Sequence, residues 1–275
     1  MLMPSSFSAL SREAWRTRPL IPASVVLHAT AAGATACYPS AWPWAVSLVV
    51  ANHAALVATG LWPRSTALGP NWTRLPPCAG AGQVAITIDD GPDREVTPHV
   101  LDILEASGAR ATFFCIGERV LANPGLSREI VARGHRMENH GQHHRHHFSL
   151  LGPRGLRQEV ERAQETISTL AGERPRFFRA PAGLRNLFLQ PALAELELQL
   201  VSWTRRGFDT VTHDPKAVHA RLAARLAAGD ILLLHDGNSA RTRAGAPVIL
   251  EVLPRLLDTI ARAGLVTVTL AEALV

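Results

Sequence analysis

The chain has 275 residues, 47% of them hydrophobic and 19% charged, with a formal net charge of +5 and a pI near 10.0. The apolar content suffices for a folded core and excludes a disordered chain, and the length admits one large domain plus an appendage. The arginines are scattered, with Lys216 the single lysine, so they form no nucleic-acid-binding stripe; the dispersed Cys37, Cys78 and Cys115 exclude a disulfide framework or a cysteine zinc site.

No Asp, Glu, Lys or Arg occurs between Arg18 and Arg64. Two apolar stretches fill that gap, from Pro19 to Tyr38 and from Ala41 to Trp62. Each is near the roughly 20 residues that cross a bilayer as a helix. Trp42, Trp44 and Trp62 bracket the second stretch, as expected where indole rings sit among lipid headgroups. Pro39-Ser40 is the turn of a helical hairpin. Residues 1–64 are therefore expected to be a membrane-associated helical segment. If both stretches span, Arg12, Arg16 and Arg18 share a side with Arg64 and Arg74, and the positive-inside rule makes the following domain cytoplasmic. If only the second spans, or if the first is a signal peptide cut near Ala34-Thr35-Ala36, the domain faces outward.

Residues 65–82, with Pro70, Pro76 and Pro77, read as a link to a domain at 83–275. In that domain short apolar runs alternate with segments of helical spacing. The strands expected are Val84–Ile88, Thr112–Ile116, Arg176–Arg179, Leu198–Trp203, Ile231–Leu234 and Leu265–Thr269. The helices expected are Val96–Ala106, Leu126–Arg133, Gly155–Leu170, Leu187–Leu196, Pro215–Ala227 and Val248–Ala263. Such alternation builds a mostly parallel sheet covered by helices, an α/β fold, and six or more units favour a barrel.

Polar residues collect where the strands stop. Asp89-Asp90 ends the first, Arg179 follows Phe177-Phe178, Asp209 lies beyond Trp203, and His235-Asp236 ends Ile231–Leu234. The carboxyl ends of parallel barrel strands form one face, so these groups should converge on one cleft. By itself Asp89-Asp90-Gly91-Pro92 also reads as a plain turn. The run from Glu138 to His147 is rich in histidine, and His140 and His144 are four apart, which on a helical turn places both imidazoles on one side. With Asp90 they make a set suited to zinc, cobalt or another divalent first-row metal. His143 and His147 share that spacing, so periodicity does not select the pair, and a solvated histidine-rich loop also fits.

Four motifs together carry a resemblance. Thr87-Ile88-Asp89-Asp90-Gly91 resembles the T-F-D-D-G motif of the polysaccharide deacetylases, the NodB-homology or carbohydrate esterase 4 family. Asn139-His140-Gly141-Gln142-His143-His144 is similar to its N-H-[ST]-x-x-H motif, Arg179-Ala180-Pro181-Ala182-Gly183 to R-x-P-x-G, and Leu232-Leu233-Leu234-His235-Asp236 to L-x-L-x-H. They occur in the family's order from Gln83 onward; the front end lies outside the resemblance.

The resemblance implies a distorted (β/α)7 barrel behind the N-terminal apolar hairpin. It implies Asp90, His140 and His144 as metal ligands, Asp89 as general base, His235 as general acid, Arg179 paired with Asp89, and Asp209 orienting His235. Leu233 would line the acyl pocket, and Pro181, Ala182 and Gly183 would bind substrate, the Ala182 N–H facing the oxyanion. The implied reaction is metal-dependent hydrolysis of an N-acetyl or other N-acyl group on an aminosugar glycan. An alternative substrate is a lipid-linked aminosugar, deacetylated or deformylated at the membrane. A third reading, a non-catalytic carbohydrate-binding protein, would need neither Asp89 nor His235. The chain departs from the family pattern at Gly141, Thr210 and Ala182, where Ser or Thr, Trp and Tyr are usual.

Overall fold

The computed structural model describes residues 19–77 and 82–274. Arg12, Arg16 and Arg18, on which the orientation expectation leans, and Cys78 lie outside the described residues. Helices α1 (Leu20–Cys37) and α2 (Trp42–Leu61) form the expected hairpin around a 3-10 turn at Pro39–Ala41. The stretches Leu20–Cys37 and Pro39–Leu61 each have mean hydropathy 1.5 and are long and apolar enough to cross a membrane. Val46, Leu48 and Val50 are exposed, and between the helices Asn52 Nδ2 donates to Ser24 Oγ (2.6 Å) while the His28 and His53 rings meet edge to face at 5.1 Å. An exposed aliphatic surface around an interhelical polar bond suits an apolar solvent.

The rest of the described chain is a parallel sheet curled into a half-barrel covered by helices. Its elements run β1 (Gln83–Asp89), α3 (Thr97–Ala106), β2 (Ala111–Cys115), α4 (Gly117–Ala122), α5 (Pro124–Ala132), β3 (Arg136–Asn139), α6 (Pro153–Ala171), β4 (Phe177–Phe178) and α7 (Leu189–Glu195). They continue β5 (Gln199–Leu200), β6 (Arg205–Arg206), α8 (Pro215–Ala223), β7 (Ile231–His235), α9 (Val248–Arg262) and β8 (Val266–Thr267). The seven-strand order is β5-β4-β3-β2-β1-β7-β6, with β8 beside the start of β1. Residues Trp72 and Arg74 bridge to Val201 and Asp230, so residues 72–75 lie along the barrel edge.

The central strands are continuous apolar runs because both of their faces are covered. Val84, Ile86 and Ile88 of β1 and Leu232 and Leu234 of β7 are fully buried. Helix α9 seals one side with Val248, Val252, Leu256 and Ile260, the three-to-four-residue spacing of an amphipathic stripe. β3 carries no such signal. Its Glu138 accepts the backbone N–H groups of Arg176 and Phe177 (2.7 and 2.8 Å), and Asn139 donates to Val160 O and Gln164 Oε1 (2.9 Å each). The strand's polar side chains satisfy buried backbone of its neighbours, which hides it from an apolar-run reading. β6 is hidden for a related reason, since Arg205 pairs with the buried Asp230 (2.5 Å).

Candidate active site

Strand neighbours point to opposite faces, yet Asp89 and Asp90 both line one cavity. The backbone makes this possible: Asp90 sits at φ 75, the left-handed region that Asp tolerates better than most residues. The next position must be glycine, because a Cβ on Gly91 would lie 2.3 Å from a carboxylate oxygen of Asp236. Asp236 is buried, accepts from Thr97, and is raised to about 7 by burial, with the nearby Asp90 charge adding to the effect.

Asp89 faces Arg179. Nη1 of Arg179 donates to Asp89 Oδ1 (2.6 Å) and Thr87 Oγ1 (2.8 Å), Nη2 to Ser202 O (2.7 Å) and Nε to Val201 O (3.3 Å). The guanidinium also lies 4.1 Å over the Phe114 ring. A cation this deep needs all those partners, because burial alone disfavours its charge.

The histidines come from the loop after β3. This segment is not helical: Gly141 has φ 82 and His144 φ 49, so a loop, rather than one turn of helix, brings His140 and His144 together. Gln142 N donates to Glu159 O of α6 (3.1 Å), and Glu159 accepts from His143 N (3.0 Å), His143 Nδ1 (2.8 Å) and Arg145 Nε (2.6 Å). His143 is thereby turned away from the cavity, and His146 and His147 are exposed. His140 Nδ1 donates to Arg179 O (2.8 Å). In a neutral ring this leaves a lone pair on Nε2, which lies 3.2 Å from Asp90 Oδ1; His144 Nε2 is also 3.2 Å from that oxygen.

Asp90, His140 and His144 can hold a metal, their ligand atoms all lying within 4.8 Å of one another. The fit is supported by Asp90 Oδ1, a buried oxygen with no hydrogen-bond partner. Burial pushes His144 down to about 4, so its imidazole stays neutral and has a lone pair to offer. Burial alone would raise Asp90, but its contact with His140 outweighs burial and holds the carboxyl well below its usual range. Two imidazoles and a carboxylate suit a divalent metal of the zinc type, with positions left for water and substrate.

Across the cavity stands His235. Asp209, fully buried, accepts from His235 Nδ1 (2.9 Å) and from its backbone N–H (2.7 Å). Burial opposes the imidazolium, but Asp209, assisted by Asp89 and Asp90, raises His235 to about 9. Ala182 (φ 54), Gly183 and Leu233 line the same cavity, whose volume is about 180 Å3. Pro181 is buried in the 3-10 turn that carries Ala182 and is not among the lining residues. Thr210 lines the cavity.

Other residues shape the site with little or no trace in the sequence pattern. Asn238 Nδ2 donates to Asp90 Oδ2 (2.7 Å) and so aims the carboxylate. Arg119 donates to Asp90 O (2.8 Å) and to Asn238 Oδ1 (3.3 Å). Glu159 was hidden as one acid on a polar helix, although its spacing puts it among the buried positions of α6. Trp203 and Arg206 also line the cavity. Asn238 follows a strand-end histidine by three residues, the one cue that could have drawn attention to it.

Residues 77–201 match the family model described as polysaccharide deacetylase. The chain is similar to a peptidoglycan-N-acetylglucosamine deacetylase of Bacillus cereus, 33% identical over 193 residues, spanning 70% of this chain and 87% of that one. A chitooligosaccharide deacetylase of a Bradyrhizobium species is 34% identical over 160 residues, 58% of this chain and 73% of that one. Among solved structures, a family 4 carbohydrate esterase from Streptomyces lividans, in complex with acetate, superposes with TM-score 0.62 at 31% identity, covering 68% of this chain and 93% of that one.

Proposed function

The chain belongs to the polysaccharide deacetylase family, and from that membership we propose that it is a metal-dependent hydrolase removing an N-acetyl or related N-acyl group from an aminosugar glycan, held at a membrane by α1 and α2. One observation carries the catalytic reading: Asp90 Oδ1 lies 3.2 Å from two imidazole nitrogens, with the Asp89–Arg179 pair and the His235–Asp209 pair lining or flanking the same cavity. A sugar-binding protein needs neither pair, so their presence favours catalysis.

Asp90, His140 and His144 would hold the metal, zinc by the character of the donors, with cobalt and other first-row ions as alternatives. Bound there, it supplies Lewis acidity, making water more acidic and the acyl carbonyl more electrophilic. The protein supplies the proton transfers. Asp89, held by Arg179, takes the proton of the attacking water. His235, held charged by Asp209, delivers a proton to the nitrogen as the C–N bond breaks, without which the amine is a poor leaving group. The N–H of Ala182 faces the developing oxyanion, where one such donor contributes about 2.7–4 kcal/mol. Leu233 gives the acyl methyl an apolar wall. The family-type hydroxyl is missing at Gly141, and Glu159 supports the histidine loop instead.

The membrane reading is supported by the length and exposed aliphatic surface of the hairpin and by exposed Trp42, Trp44 and Trp62. The test of the catalytic reading is acetate release from chitooligosaccharides by the zinc-loaded full chain, with metal content measured in parallel. His235→Ala should abolish release while the protein keeps its metal. Full activity in that variant would remove His235 from the acid role, and metal without release of any acyl group would favour the binding reading.

A further inference from the structure

We propose that the aminosugar is presented on a lipid phosphate and taken up from the bilayer surface; this rests on the hydrolase reading above and narrows its substrate. Three separate features of the molecule point there.

The first is where the hairpin ends. Arg185 N donates to Gly60 O (3.1 Å), and a Cβ on Gly60 would lie 2.2 Å from the Arg185 carbonyl. Pro63 packs on Gly183 so closely that a Cβ there would lie 2.6 Å from both the Pro63 and Trp203 side chains. Ser202 Oγ and Asn71 Nδ2 donate to the Pro63 carbonyl. Gly183 and Trp203 line the catalytic cavity. The residues that follow the second apolar helix are thus bolted to the cavity wall. Trp62 between them is 63% exposed and takes the headgroup level that indoles prefer, which sets the cavity close to that level.

The second is the apolar rim. Leu150 (83% exposed), Leu187, Phe188, Phe208 and Val211 stand out from the loops after β3, β4 and β6, all at the carboxyl ends of the strands. Asn186 ties two of these loops together through Ser149 O and Leu151 O (2.9 Å each). Single exposed hydrophobics are ordinary. Here the barrel's exposed large hydrophobics among the described residues concentrate around the catalytic mouth, with Leu121 and Val266 the exceptions. A face of this kind lies against an apolar surface.

The third is Arg206. It lines the cavity in register with Leu233. Its guanidinium lies 5.4 Å from the Trp203 ring and 5.0 Å from the Phe208 ring. Its Nε is buried without a hydrogen-bond partner, and among the described residues it forms no ion pair. An uncharged oligosaccharide offers this cation no counter-charge, whereas a phosphate beside the sugar matches the geometry of a guanidinium. The hydrolysis is unaltered: water is consumed, the amide C–N bond breaks, the acyl group leaves as carboxylic acid, and the phosphate ester remains whole.

The test uses the full chain, zinc-loaded, in phosphatidylcholine vesicles. Three probes are compared by acetate release: polyprenyl-phosphate N-acetylglucosamine in the same vesicles, soluble N-acetylglucosamine 1-phosphate, and a chitooligosaccharide. The expected order of kcat/KM is the order given, with the lipid-linked probe at least about tenfold above the chitooligosaccharide. Arg206→Gln should lower turnover of the two phosphate-bearing probes roughly tenfold more than that of the chitooligosaccharide, the size of a lost charged hydrogen bond; the ratio within one variant cancels any loss of folded protein. A chitooligosaccharide rate equal to the lipid-linked rate, or an Arg206→Gln effect equal on all probes, overturns the proposal and leaves the hydrolase reading standing. A soluble sugar phosphate matching the lipid-linked probe overturns its bilayer part. Acetate from none of the three overturns both.

Discussion

Asp89 and Asp90 are covalent neighbours at one strand end, and their surroundings are opposites. Asp89 belongs to a finished network: Arg179 reaches it at 2.6 Å and spends its other donors on Thr87, Val201 and Ser202. Asp90 belongs to an unfinished one. Its Oδ2 is held by Asn238 (2.7 Å), but its Oδ1 meets only imidazole nitrogens and has no hydrogen bond. A buried network with every donor matched stabilises and positions, whereas one with converging lone pairs is stable only around a cation. Substitutions on the two sides should therefore fail differently, one through the fold and the other through the metal.

The largest effect is expected on the finished side. Arg179→Ala leaves Asp89 buried without its cation, which costs about 3–5 kcal/mol of stability. Denaturant unfolding should show a lower midpoint with or without zinc; a midpoint unchanged from wild type would mean that the network is ornamental. On the unfinished side, zinc at about 100 times its Kd should stabilise the wild type by about 2.7 kcal/mol. Asp90→Asn should abolish that increment, and activity with it, while leaving metal-free stability within about 1 kcal/mol of wild type. Equal zinc stabilisation of both proteins would move the metal away from Asp90.

This asymmetry bears on what could be read in advance. The parallel barrel was legible because strands buried on both faces are runs such as Val84–Ile88 and Ile231–Leu234, and amphipathic helices such as α9 repeat every three to four residues. The strand-end acids and histidines were legible as candidates, since ionisable groups at the ends of apolar runs seldom lack a reason. Other features were hidden, β6 among them because Arg205 serves the buried Asp230. β3 was hidden because Glu138 and Asn139 serve backbone groups elsewhere. The shape of the histidine loop was hidden because positive φ at Gly141 and His144 leaves no periodic trace, so a helical spacing was expected where a loop does the work. Asn238, Arg119 and Glu159 meet Asp90 and the histidine loop from far away in sequence, and only the fold reveals which polar residue meets which.

Glu159 sharpens the comparison at a smaller scale. It touches Nε2 of neither His140 nor His144, yet it holds His143 and Arg145 on either side of His144. Glu159→Gln keeps the size of the side chain and removes its charge. Partners that orient metal ligands commonly alter affinity by 10–100-fold, and a zinc Kd weakened by about tenfold is expected from competition with a chelator. Stability without metal should change far less than in Arg179→Ala. An unchanged Kd would show that the loop holds its form without the acid.

Asp209→Asn probes the remaining pair, and its effect should appear as a displacement along the pH axis more than as a loss of rate. Burial opposes the charge on His235, and Asp209, with Asp89 and Asp90, raises it to about 9. A raised histidine is charged below that value, so the acid is ready across neutral pH and turnover should fall as pH rises through about 9. Without the Asp209 charge the imidazolium loses its main support and burial prevails, so the fall should begin at lower pH, at or below the ordinary histidine value near 6.5. The linkage to stability has the same sign: the pair's contribution is complete below about 6.5, where the unfolded histidine is also charged, and is lost as pH passes about 9. The variant's deficit should thus be greatest in acid and shrink in alkali. A basic limb of kcat/KM that stays in place in Asp209→Asn would mean that His235 is not the group whose protonation governs the departure of the amine.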